Sequence, residues 1–236
     1  MAQFQHLREL GQRLAEAAGD NLLSVVLHGS AVAGDFHPQF SDLNVLCVMR
    51  ELSPAAMRSL APVLHWWTDL KYPAPLFFTR AELQAAADVF PIEMLDIKDR
   101  HTILHGEDPF QRLDVSMALH RIQLEHELRT KLLLLRQHYM SVAADAPRVR
   151  HLLLDSVSNF LALFRHALIA MGATPPHSKA EVAYQLAGRA EFDPGPFEQL
   201  LKVRERKLKA EELDVDRVFP AYLSGIEKVI AAVDAL

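Results

Sequence analysis

Apolar residues return at helical spacing from the start of the chain. Phe4, Leu7, Leu10 and Leu14 fall on one stripe, which predicts an amphipathic helix over residues 2–18, stopped at Gly19-Asp20-Asn21. The run LLSVVLHGS that follows is unbroken and apolar, and reads as a buried strand delivering a small-residue turn. AVAGDFHPQFS has no period and reads as a loop, and DLNVLCVM reads as a second strand. Ser53 before Pro54 predicts a helix start, running to about Trp67. PLFFT predicts a third strand, and Thr79 with Glu82 has capping-box spacing for a helix to about Val89. PIEMLDI predicts a fourth strand, with RHTILHG and a turn at GEDP after it.

Beyond Phe110 the pattern turns helical. Leu113, Met117, Leu124, Leu128, Leu132 and Leu135 recur at helical spacing over residues 111–143, and Pro147 ends that run. Further helices are predicted over 148–171, from a capping box at Ser178 and Glu181, after Asp193-Pro194, and over 214–235 with a kink at Pro220. The expected fold class is α+β. A small mixed-sheet α/β domain over 1–110 precedes an all-α helical bundle domain over 111–236.

Charge refines this picture. The net charge is −5, from 25 basic and 30 acidic residues, which argues against general nucleic-acid binding. The imbalance sits in residues 1–110, with 8 basic against 14 acidic residues, while residues 111–236 carry 17 against 16. An acidic first half suits cation binding, and equally suits an ordinary charged surface. A single cysteine, Cys47, excludes an intrachain disulfide. With a charged N-terminus and short apolar runs, the expectation is a cytoplasmic protein with no membrane partner.

The candidate chemistry lies in Leu27-His28-Gly29-Ser30, eleven further residues, then Asp42-Leu43-Asn44. Glycine lets a backbone approach a ligand closely, and Ser30 offers a hydroxyl and an N–H to a phosphate. On a strand, Asp42 and Asn44 share a face and Leu43 takes the other. Two oxygen-bearing side chains beside an anion-binding turn are parts for a hard cation and a phosphate chain.

This arrangement resembles the nucleotidyltransferase superfamily of polymerase-β type. The small α/β domain followed by helices is similar to kanamycin-type and other antibiotic nucleotidyltransferases. The resemblance implies that Mg2+ and a nucleoside triphosphate bind in the first domain. It implies Gly29 and Ser30 on phosphate, Asp42, Asn44 and a third carboxylate on metal, and transfer of a nucleoside monophosphate to a hydroxyl acceptor. Glu93 is the third-carboxylate candidate, as base or metal ligand, with Asp96 the alternative. On a strand these two would point to opposite faces. The sequence departs from the superfamily at Asn44, where a second aspartate is the rule. Asparagine keeps an oxygen but loses the charge that repays Mg2+ dehydration. A catalytically degenerate nucleotide-binding or protein-interaction module of the same fold is therefore the alternative reading. The acceptor stays open, and a homodimer is compatible with the sequence.

Other candidates have plainer readings. His28 and Cys47 read as packing residues, and the Trp66-Trp67 pair reads as core. The basic run from Lys202 to Lys209 reads as a solvated helix face with glutamate partners. No His or Cys spacing suits zinc. Arg121 to His126 has the loose spacing of a helical-domain RNase motif, but Arg100 to His105 repeats it outside the helices, which points to chance.

Overall fold

The structure is a computed structural model, and it describes residues 2–32 and 43–236. Among these residues the chain forms α1 (Ala2–Ala18), β1 (Leu22–His28), β2 (Asn44–Met49), α2 (Pro54–Asp69), β3 (Leu76–Thr79), α3 (Arg80–Val89), α4 (Pro91–Asp99), β4 (His101–Gly106) and five further helices. The latter are α5 (Met117–Val142), α6 (Ala146–Ala170), α7 (Lys179–Ala190), α8 (Gly195–Arg204) and α9 (Val215–Asp234). This is an α+β fold, a small mixed sheet with a helical C-terminal part. The chain divides into two compact units, Met1–Leu119 and His120–Leu236.

In the first unit the strands lie in the order β3-β2-β1-β4. β1 pairs antiparallel with both β2 and β4, and β2 pairs parallel with β3. Strand alternation divides the apolar side chains between two cores. Val25, Leu27, Val45 and Cys47 pack with Leu7, Leu10 and Leu14 of α1 and Leu60, Val63 and Trp67 of α2. Val26, Leu46 and Val48 pack with Leu83 and Ala87 of α3 and Met94 and Ile97 of α4. Trp67 is fully buried, and its indole N–H donates to the Pro73 carbonyl at 2.7 Å. Ser53 caps α2, and Thr79 caps α3 in a reciprocal capping box with Glu82. Cys47, fully buried, has its thiol pushed up to about 12 by burial, so it is a packing residue and not a nucleophile.

One element differs from the sequence pattern. PIEMLDI is not a strand but helix α4, with Pro91 in its first turn and Pro91, Ile92, Met94 and Ile97 buried. The fourth strand is the segment after it, β4, which pairs with β1 from His28↔His101 to Ser24↔Gly106.

In the second unit α6 packs against α7, α8 and α9, with ten of its residues buried. It is the described helix long and apolar enough to cross a membrane, and half of that stretch is buried within the protein. The rings of Phe160, Phe164, Phe192, Phe197 and Tyr222 form a chain of tilted and edge-on contacts. Along α5, Leu124, Leu128, Leu132 and Leu135 are buried, as the heptad-like spacing predicts. Leu128→Ala is expected to cost about 3 kcal/mol in chemical denaturation, the middle of the range for truncating a fully buried leucine. A loss below about 0.5 kcal/mol would place Leu128 at the surface in solution.

Candidate functional site

The turn after β1 is built by one glycine. Gly29 sits in the left-handed region at φ +79°, which a side chain rarely tolerates. It opens a short 3-10 turn, Gly29–Ala31, closed by the Val32 N–H donating to the Gly29 carbonyl at 3.1 Å. Register then places Asn44 beside it, because β1 and β2 pair with His28 opposite Asn44. A β-carbon on Gly29 would stand 2.9 Å from Asn44 Nδ2. The glycine and the asparagine therefore meet at one end of the sheet.

Asn44 shares its sheet face with Leu46 and Val48, the face covered by α3 and α4, and Leu43 is buried against α1 and α2. This is the alternation expected of the motif. Asp42 and the side chain of Ser30 lie outside the described residues. Asn44 is partly buried, and its side chain makes no hydrogen bond among the described residues.

Register also defines a polar row that the sequence did not reveal. His28 pairs with Asn44 on one side and with His101 on the other, so all three share a face. His101 Nδ1 lies 2.8 Å from the Ile97 carbonyl, and Nε2 lies 3.2 Å from Asp108 Oδ1. Asp108 Oδ1 also accepts the Phe110 N–H at 2.9 Å, and the Phe110 ring tilts over His101 with centroids 5.1 Å apart. Both imidazole nitrogens of His101 are thus engaged, and it latches the segment after β4 beneath the sheet. Only its pairing with His28, which the sequence pattern did not expose, could have signalled this.

His28 is partly buried, with Nε2 buried and without a hydrogen-bond partner among the described residues. Burial holds its imidazole below the usual histidine range. The neutral ring is therefore favoured on folding. As pH falls below the unfolded-chain value of about 6.5, the unfolded state takes up a proton before the folded state does, and stability drops. The loss ends once pH passes the folded value. Denaturant titrations at pH 7.5 and 5.5 should show His28→Gln losing less stability than wild type across that interval. An equal loss would leave His28 without this role.

Glu93 and Asp96 move with the correction of α4. On the helix they lie on one solvent-facing side, three residues apart, instead of on opposite faces of a strand. Both are exposed, and Glu93 stands in the first turn, about 9 Å along the axis from Asp99 and the start of β4. The structure joins Gly29 to Asn44. Among the described residues, no group of three or more His, Cys, Asp or Glu is placed to hold a metal ion.

The remaining candidates are structural. Trp66 lies beneath the Arg13 guanidinium, 4.4 Å from its ring centroid. Lys202 pairs with Glu198 at 2.8 Å and Lys207 with Glu205 at 2.7 Å, while Arg204 donates to the Leu154 carbonyl at 2.8 Å. Arg121 faces Glu125 at 3.6 Å.

No protein family and no curated protein matches the sequence. Solved structures do match. The chain is similar to spectinomycin adenyltransferase AAD(9) from Enterococcus faecialis, crystallised with ATP and spectinomycin, at a TM-score of 0.56 and 15% identity, over 98% of this chain and 99% of that one. It also resembles part of a toxin-antitoxin structure with AMP-PNP, at a TM-score of 0.30 and 16% identity, over 43% of this chain and 74% of that one, a likeness too slight to argue from. At such identities the likeness is one of fold. The fold is one this chain shares with that adenyltransferase.

Proposed function

We propose that the protein binds a nucleoside triphosphate at the end of the sheet where Gly29 and Asn44 meet, and transfers its nucleoside monophosphate to a hydroxyl-bearing acceptor. The observation that carries this reading is the fold shared, over nearly the whole of both chains, with an adenyltransferase whose structure holds ATP. The positive-φ turn at Gly29, a backbone conformation that side chains rarely adopt, supports it.

In the transfer, the acceptor oxygen bonds to the α-phosphorus, the bond to the α–β bridging oxygen breaks, and pyrophosphate leaves. The acceptor proton passes to a base. Gly29 and Ser30 hold phosphate in this reading, Asp42 and Asn44 take the metal positions, and Glu93 is the proposed base, with Asp96 the alternative. Mg2+, when bound to such a site, neutralises phosphate charge and fixes the phosphates in line. Asn44 fits it less well than a carboxylate would, since it contributes a neutral oxygen, and among the described residues no group of three or more His, Cys, Asp or Glu is placed to hold a metal ion.

That asparagine supports a second reading, a nucleotide-binding module without transfer activity. Calorimetry with ATP, followed by a pyrophosphate-release assay against hydroxylated acceptors, separates the two. Binding with release supports the transferase. Binding without release supports the module, and no binding overturns both.

A further inference from the structure

We infer that the first unit carries a second anion site, at the end of the sheet away from Gly29, where Arg50 and Arg80 receive the phosphate group of a small phosphomonoester. The inference stands on its own observations and does not need the nucleotide reading.

A cavity of about 750 Å3 opens at that end, and its lining includes Leu22 of β1, Met49 of β2, Arg50, Arg80, His105 and Glu107. β1 runs from Leu22 to His28, so about 20 Å of strand separates this cavity from the Gly29 turn. Charge sets the cavity apart. Residues 1–110 hold 8 basic against 14 acidic residues, yet the lining holds two of those basic residues and a single carboxylate, Glu107. A cavity with a positive excess in an acidic unit collects anions that the rest of the surface repels.

The two guanidinium groups are held in different ways. Arg50 follows β2, with its backbone N–H donating to the Asn21 carbonyl at 2.9 Å and its Nε to the Asp20 carbonyl at 2.7 Å. The second bond fixes the planar group and leaves its Nη donors for a ligand. Arg80 is ion-paired with Glu107, and both side chains are more than half exposed, at 68% and 57%. Exposed pairs of this kind contribute little, so an arriving anion can share Arg80 with Glu107. Glu107 is itself anchored, since its carbonyl accepts from Ser24 Oγ at 2.5 Å, and it keeps Arg80 at the cavity.

This chemistry selects phosphate over carboxylate. One guanidinium fork satisfies a carboxylate, and Arg80 already has one in Glu107. A phosphomonoester brings more charge and three accepting oxygens, enough for both forks. The apolar lining of Leu22 and Met49 suits the carbon body of the ester.

The experiment is arginine side-chain NMR of the full chain, titrated with glycerol phosphate, inorganic phosphate and acetate at constant ionic strength. The Nε–H signals of Arg50 and Arg80 are expected to shift saturably with glycerol phosphate, and acetate to bind at least about tenfold more weakly. Arg50→Gln and Arg80→Gln should each weaken glycerol phosphate binding about tenfold or more. Arg58→Gln, at an exposed arginine of α2, should leave it unchanged. Shifts that never saturate, or acetate binding as tight as that of glycerol phosphate, overturn the inference. Inorganic phosphate binding as tightly as glycerol phosphate overturns the assignment to an ester. Loss of binding in Gly29→Ala with retention in both arginine variants would place the phosphate at the turn, and also overturns it. Should an arginine variant fail to fold, the wild-type Arg50 and Arg80 signals decide alone.

Discussion

Gly106→Ala should remove about 3–5 kcal/mol of stability from the first unit, a large share of the 5–15 kcal/mol typical of a domain. Gly106 ends β4 at φ +77°, and a β-carbon there would stand 1.9 Å from the Leu23 carbonyl oxygen, 2.8 Å from its carbon and 3.2 Å from Ser24 Cα. These are backbone atoms of the paired strand, and none can rotate aside. Strain of about 1–3 kcal/mol from the left-handed backbone adds to about 1–3 kcal/mol from overpacking. Relief requires β4 to peel from β1, which breaks the Ser24↔Gly106 pairing, the Glu107 N–H bond to Leu23 O and the 2.5 Å bond from Ser24 Oγ to Glu107 O. Chemical denaturation of the purified variant tests this. A loss below about 1 kcal/mol would mean that this end of β4 is frayed in solution.

The consequence reaches the candidate site, because β4 brings His101 beside His28 at the opposite end of the same strand pair. That dependence could not be read along the chain. Elements with a strong local signature were legible: the α1 stripe of Leu7, Leu10 and Leu14, the Thr79–Glu82 capping box and the α5 leucines. α4 was not. Its apolar residues Ile92, Met94, Leu95 and Ile97 suit a strand nearly as well as a short helix, and so brief a run does not separate the two periods. Pro91, in the first helical turn, was the deciding signal, since it fits N1 of a helix at no cost. β4 escaped notice for the converse reason. As an edge strand with half its residues exposed, it lacks a continuous apolar face. The spacing from Gly29 to Asn44 was legible because antiparallel pairing returns the chain to the same sheet end. The His101–Asp108 contact was not, since it depends on how the segment after β4 folds back.

Gly29→Ala is expected to lower ATP affinity by about thirtyfold or more, some 2 kcal/mol, at a stability cost of about 1–3 kcal/mol. Two causes combine. Alanine is strained at φ +79°, and its methyl group would meet Asn44 Nδ2 at 2.9 Å and Asn44 Cβ and Cγ at 3.8 Å. The amide must then move off the turn, or the turn must open, and either shift takes donors from the phosphates. Gly19→Ala is the control. Gly19 has φ +53° with nothing within 4 Å of the added β-carbon, and it precedes the far end of β1. It should lose about 1 kcal/mol of stability through backbone strain and keep its ATP affinity. A double variant, Gly29→Ala with Asn44→Ala, separates the causes, because deleting the amide relieves the contact but not the strain. It should regain part of the lost stability and none of the lost affinity. Were Gly29→Ala to bind ATP as wild type does, the phosphates would not approach this turn, and the nucleotide would have to be sought elsewhere on the unit.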